Sequence, residues 1–228
     1  LPATATVSGA SQANGYIIAG GNGYFYRTGT AAGSYIITYP IGDVSYYSPM
    51  AITTIAGSDY TGSLGVKTLS ASGAKSLAKI WDVTSTGLTL TSATATFTYN
   101  DAEANGDEST YKVWHLGTSG WENPATASIS TSTNEISTGS TGSFTGYWTA
   151  GVTAPAITWY SYLSGDWDNW ETWTLDPSGT TRINSSNSIP GAIDKVVILN
   201  GRTVDITTTN KTITYLNIEE GGVLDIGN

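Results

Sequence analysis

Between Gly15 and Ala150 apolar residues recur at every second position, in runs too short for an amphipathic helix. The runs are GYIIA (15–19), GYFYR (23–27), SYIITYP (34–40), MAITTI (50–55), LTLTSATATFTYN (88–100), YKVWHL (111–116), TASIST (126–131) and GSFTGYWTA (142–150). Gly, Asn, Ser and Pro bound them, as they bound β-strands. In TATFTYN, Thr alternates with Ala95, Phe97 and Tyr99. A period of two puts successive side chains on opposite faces, so one face can be buried and the other wet. Strands at this spacing predict an antiparallel β-sandwich over residues 10–152. The best helical candidate is ASGAKSLAKIWD (71–82). Gly73 and the Thr-rich stretch that follows weaken it to a short helical turn or a loop.

Charge narrows the function classes. Lys and Arg number 9 against 18 Asp and Glu, a net charge of −9. No basic cluster exists to neutralise phosphates, so nucleic acid is not an expected partner. An anionic membrane surface is disfavoured for the same reason. Charged residues make up 12%, about half the usual ~25%. Eight Trp and fourteen Tyr argue for packed cores despite this. There is no cysteine, so no disulfide contributes to stability. No stretch approaches the ~20 apolar residues of a transmembrane helix, and no membrane insertion is expected. The chain opens on Leu1 rather than Met. It is expected to be a piece of a longer precursor, with residues 1–9 the end of a preceding module.

The pattern changes after GVTAPAIT (151–158). Pro155 cannot donate to a sheet ladder, and 153–158 reads as a linker. From 159 to 228 a second module is expected. It starts with Trp159, Trp167, Trp170 and Trp173, interleaved with Asp166, Asp168 and Glu171. It continues as short strands cut by Asn200-Gly201, Thr209-Asn210-Lys211 and Glu219-Glu220-Gly221-Gly222. Val204/Ile206, Leu216/Ile218 and Leu224/Ile226 are apolar pairs, each split by one polar position. Such pairs suit the rungs of a β-solenoid, and a meander of hairpins fits the same spacing. The pattern runs uncapped to Asn228, which favours a solenoid that continues. The fold class expected is all-β: an antiparallel β-sandwich followed by the start of a right-handed β-helix or solenoid.

The later segment resembles the opening of β-helical modules in large cell-surface proteins of Bacteroidetes. Gly165, Trp167, Thr172, Trp173, Pro190, Gly191, Asp194, Val196, Ile198, Gly201, Val204, Leu216, Ile218, Gly221, Gly222, Leu224 and Ile226 carry the likeness. Residues 8–54 look like a companion module of the same proteins, through Tyr39, Pro40, Gly42, Tyr47 and Pro49. The resemblance implies a fragment of a repetitive adhesin exported by the type IX secretion system, the group that includes gliding adhesins. It implies an extracellular or cell-surface location. Its implied partners are neighbouring modules of the same chain, surface glycans, or the secretion and gliding machinery. The carboxy-terminal sorting domain of such proteins is not in this sequence.

Three places could carry chemistry. His115 is the only histidine and lies in an apolar strand, where it is expected to face solvent or a sheet edge. No G-x-S-x-G is present, and zinc chemistry lacks ligands. Asp101, Glu103, Asn105 and Asp107, around Gly106, echo the first half of a calcium loop. The echo fails at Lys112, no flanking helices are expected, and an acidic hairpin loop is the favoured reading. Calcium is the one candidate cofactor. In the tryptophan cluster, Trp159, Trp167 and Trp173 are expected to be interior and structural, sharing a face through even spacing. Asp168, Asn169 and Trp170 are the candidates for an exposed ligand contact. The function expected is a non-catalytic structural or adhesive module of a large secreted or cell-surface bacterial protein. The alternative is a carbohydrate-binding accessory domain of a secreted polysaccharide-degrading enzyme.

Overall fold

The structure is a computed structural model that describes residues 6–55, 59–71, 75–118, 120–208 and 210–227. Residues 1–5 of the expected preceding module, and 72–74 of the helical candidate, lie outside the described residues. The protein is all-β. It divides into two compact units, Leu1–Leu116 with Trp121–Ala154, and Gly117–Gly120 with Pro155–Asn228.

The first unit holds β1 (Ile17–Ile18), β2 (Phe25–Ala32), β3 (Ile36–Tyr39), β4 (Ile41–Gly42), β5 (Met50–Thr54), β6 (Asp59–Ser70) and β7 (Lys79–Leu90). It continues with β8 (Ala93–Thr98), β9 (Lys112–Gly117), β10 (Gly120–Glu122), β11 (Ser128–Ser130), β12 (Glu135–Ser137) and β13 (Gly146–Gly151). Six strands pair in the order β10-β9-β13-β7-β6-β2 and five in the order β11-β12-β8-β5-β3. The pairings from β9 to β2 and throughout the five-stranded sheet are antiparallel, while β1 and β4 form a small parallel pair.

The two larger sheets share one core, giving the unit its sandwich-like character. Ile37, Ile52, Ala95, Phe97 and Ile136 come from one sheet. Leu64, Val66, Trp81, Val83, Val113 and Trp148 come from the other. Phe97 bridges them, 5.2 Å from the Trp81 ring and 5.7 Å from Trp148. Each such ring pair adds roughly 0.5–1.5 kcal/mol beyond its area burial. In β8 burial alternates strictly, with Ala93, Ala95 and Phe97 inside. The helical candidate does not form a helix over its described residues. Ser76 and Leu77 make isolated bridges, and β7 starts at Lys79. The β6–β7 pairing shifts register between Thr61 and Ser63. Gly62 lies in that shift at φ +85°, where a Cβ would come within 2.1 Å of the Gly87 carbonyl oxygen. Only glycine fits there.

The second unit has β14 (Thr158–Ser161), β15 (Gly165–Asp166), β16 (Trp173–Thr174), β17 (Lys195–Ile198), β18 (Thr203–Ile206), β19 (Tyr215–Ile218) and β20 (Val223–Ile226). Two ladders of three parallel strands result, β14-β17-β19 and β15-β18-β20. The chain alternates between them. Lys195 pairs with Tyr215 and Thr203 with Val223, twenty positions apart at the last step of both ladders, whereas Thr158 pairs with Lys195 and Gly165 with Val204 across the longer loops of the first step. β16 adds antiparallel to the free side of β14. The Asn-Gly step at 200–201 connects β17 to β18 without hairpin pairing, because each strand takes its partner from the other rungs. No closed coil is formed among the described residues.

Candidate functional site

Trp159, Trp167 and Trp173 are all buried. They stand on three different pieces of chain: β14, the turn after β15, and β16. Their shared burial therefore comes from the turn at Gly165–Asn169 and a one-turn 3-10 helix at Trp170–Thr172, not from even spacing along one strand. Asn169 caps that helix by accepting from the Glu171 N–H at 3.0 Å. The Trp167 and Trp173 rings meet edge to face at 4.9 Å, and the Trp173 Nε1–H donates to the Trp167 carbonyl at 2.8 Å. The Trp159 Nε1–H donates to Asp194. The Trp159 and Trp173 indoles thus have both an apolar seat and a partner for the polar edge, which is what burying tryptophan requires.

Trp170 is half-buried, with the Arg182 guanidinium 4.6 Å above its ring. Asp168 accepts from Lys211 Nζ at 2.5 Å and Thr208 Oγ1 at 2.8 Å. Lys211 first, then Thr208, hold its carboxyl below the ordinary range. Asp166 is held low by Thr207 and by the Asp168 N–H. Glu171 pairs with Arg182 at 3.1 Å. Asp168, Asn169 and Trp170 thus share one turn, and each is already engaged within the chain.

An open feature of this unit adjoins Trp167 and the last strands of the ladders. A hollow of about 360 Å³ is lined by Trp167, Ile206, Asn210, Lys211, Ile213, Leu216, Leu224 and Ile226. Val204 at the middle rung is fully buried, whereas Leu216 and Leu224 on the last rung are only partly covered. Tyr215, Ile218, Val223 and Ile226 are exposed. No helix among the described residues is long and apolar enough to cross a membrane.

In the first unit, the acidic loop takes a shape that its spacing does not reveal. Glu103 is buried at 2% exposure, in a 3-10 turn at Asp101–Glu103 capped by Asn100. It pairs with the buried Lys79, Nζ to Oε1 being 2.6 Å. Asp101 accepts from the Asn134 side-chain amide at 2.5 Å. Asp107 caps a second turn by accepting from the Ser109 N–H at 3.0 Å. Asn105 offers its carbonyl to the Tyr111 hydroxyl. The side chains of Asp101, Glu103 and Asp107 engage different partners, and Asn105 is engaged through its backbone carbonyl. Among the described residues no three acidic, His or Cys side chains converge as a metal site would need.

His115 stacks on Trp148 with ring centres 4.1 Å apart. Its ring nitrogens lie 2.9 Å from Glu122 Oε1 and 3.0 Å from the Thr145 carbonyl. It is therefore packed at the rim of the core and not turned to solvent. The sequence reading also missed two buried ion clusters, Lys67 with Asp82 and Lys79 with Asp43 and Glu103. Neither lysine was singled out, since Lys79 fell in the helical candidate and Lys67 in none of the strand runs. No family model, curated protein or solved structure matches this chain.

Proposed function

We propose that this chain is a non-catalytic structural and adhesive module of a large secreted or cell-surface protein. Its second unit is the start of a right-handed β-solenoid. The observation that carries the reading is the asymmetry of the two parallel ladders. On one side β16 covers the edge of β14, the strand that carries the buried Trp159. On the other, β19 and β20 are the outermost strands of their sheets, over an apolar hollow. An edge of this kind is a template for another strand. The last step advances twenty residues in both ladders, and a further rung of that length would add in the same register. Parallel connections of this type are right-handed almost without exception.

The resemblance to Bacteroidetes surface modules supplies the wider setting. That setting is an extracellular array, exported by type IX secretion, whose partners are neighbouring modules, surface glycans or the gliding machinery. The function is then mechanical. Backbone ladders running from rung to rung give stiffness, and the net charge of −9 keeps the array soluble.

Two measurements test this. Antibody raised against the chain should label intact cells of its source, and labelling only after permeabilisation would overturn a surface role. Tryptophan fluorescence should stay unquenched across cell-wall and algal polysaccharides. Quenching that disappears in Trp170→Ala would instead establish the carbohydrate-binding accessory domain.

A further inference from the structure

Lys79 opens β7 on the core side and is fully buried. Its Nζ lies against two carboxylates, in direct contact with Asp43 Oδ2 and 2.6 Å from Glu103 Oε1. One cation between two acids leaves an excess negative charge out of water. Such a cluster is poor evidence of stabilisation, since apolar residues would fill the space at lower cost. Three details of the geometry go beyond neutralising a charge.

The first is at Asp43. Its other oxygen, Oδ1, accepts from two backbone N–H groups, Ser45 at 2.7 Å and Tyr46 at 3.0 Å. Paired amide donors on one carboxyl oxygen are what stabilises an oxyanion during attack on an acyl carbon. The second is at Glu103. Its Oε2 is fixed by the Asn100 N–H at 2.9 Å and the Ser48 hydroxyl at 3.1 Å, which leaves Oε1 aimed at the lysine. A positioned carboxylate beside an amine can take and return its proton. The third is exclusion of water. Lys79 is 0% exposed and Glu103 2%, while Asp43 is 27% exposed, leaving a route out for a small leaving group. A dry amine with a base on one side and a polarised carboxyl on the other has the parts of an activated nucleophile.

We propose that Lys79 and Asp43 condense to an intramolecular amide, with Glu103 relaying the proton. Glu103 takes a proton from the Lys79 ammonium and passes it to Asp43 Oδ2. The free Nζ pair attacks Asp43 Cγ, and the carbonyl electron pair moves onto Oδ1, held by the Ser45 and Tyr46 N–H groups. Glu103 then removes a second proton from nitrogen and delivers it to Oδ2. The Cγ–Oδ2 bond breaks, the Oδ1 pair re-forms the carbonyl, and one water leaves. An ammonium and a carboxylate become an amide and water. Nothing is oxidised or reduced, and Glu103 ends as it began. The bond ties the turn after β4 to β7, a strand of the six-stranded sheet. It stands independently of the role proposed for the whole chain.

The test is mass spectrometry of the purified, denatured protein. The chain is expected one water lighter than its sequence mass. Proteolysis should release a branched peptide with Lys79 Nζ joined to Asp43 Cγ. Asp43→Ala, at the more exposed member of the trio, should run at full sequence mass and melt at a lower temperature. Glu103→Gln should also run at full mass. A wild-type chain at full mass, with separate unmodified Lys79 and Asp43 peptides, overturns the proposal. So does a water loss mapped to any other residue, or one that persists in Asp43→Ala.

Discussion

The buried Trp159 indole donates to Asp194 Oδ2 across 2.9 Å, linking the first strand of the second unit's ladder to the residue that precedes the next. The same carboxylate accepts from the Ile157 N–H at 2.9 Å and the Gly191 N–H at 2.8 Å. It thus gathers the chain before β14 and the Pro190-Gly191 turn onto one point. Removing it strands the buried Ile157 and Trp159 donors, each costing about 1–3 kcal/mol when left unsatisfied, and frees the exposed Gly191 N–H. Asp194→Ala is expected to lose roughly 3 kcal/mol or more, read as a lower urea midpoint. Asp194→Asn keeps one acceptor oxygen and should fall between the two. A midpoint unchanged in Asp194→Ala would show that the carboxylate does not hold this corner.

Acid separates two aspartates of the same unit. Burial raises the Asp194 carboxyl above its ordinary 3.8, although the bonds from Gly191, Ile157 and Trp159 pull the other way. The folded state then holds that proton more tightly than the unfolded chain. Stability from this group rises as pH falls through its folded value toward 3.8. Asp176 behaves oppositely. Partial burial would raise it, but donors from Ser178, Thr181 and Thr180 bring it to about 2. Its contribution is present above 3.8 and disappears as pH falls from there to about 2. Denaturation midpoints across a pH series should show the gap between wild type and Asp176→Asn closing over that window. The gap to Asp194→Asn should widen over the acid limb.

Strands with one dry face were legible in the sequence, and β8 is the clearest case. β6 was not, because Leu64, Gly65, Val66, Lys67 and Thr68 are all buried, so both faces are covered and alternation vanishes. A lysine in such a stretch reads as solvated. Its partner Asp82 meets it only through the β6–β7 register, which places Lys67 opposite Asp82. The tryptophans signalled burial through their size, but the path that gathers them is set by a turn and a 3-10 helix. In the acidic loop, spacing displayed the carboxylates and hid Lys79 and Ser48, which reach Glu103 from distant strands and loops.

The Lys67–Asp82 pair yields a coupling prediction. Nζ and Oδ2 are 3.6 Å apart, and both side chains are almost fully enclosed. The Tyr24 hydroxyl donates to Asp82 at 2.7 Å, its ring lies 4.5 Å from the ammonium, and the Gly21 carbonyl accepts from Nζ at 3.1 Å. Asp82→Ala leaves a buried ammonium without its counter-charge, a loss of about 3–5 kcal/mol. Adding Lys67→Met removes that charge and should restore part of the loss. A double-mutant cycle on denaturation midpoints reads the coupling, and strict additivity would show that the two charges act independently.

Tryptophan truncation separates an interior seal from a binding surface. Trp173 is fully buried, packs edge to face on Trp167, and donates to its carbonyl. Trp173→Ala should cost roughly 3–5 kcal/mol, the range for a large aromatic removed from a core. Trp170 lies half-buried under Arg182, and loss of that stacking should cost about 0.5–1 kcal/mol. Urea denaturation followed by circular dichroism compares the two without relying on indole emission. A large difference in this order is what interior sealing by Trp159, Trp167 and Trp173 requires. Equal and small losses would mean that Trp173 fills no closed interior, and the scaffold reading would lose its physical basis.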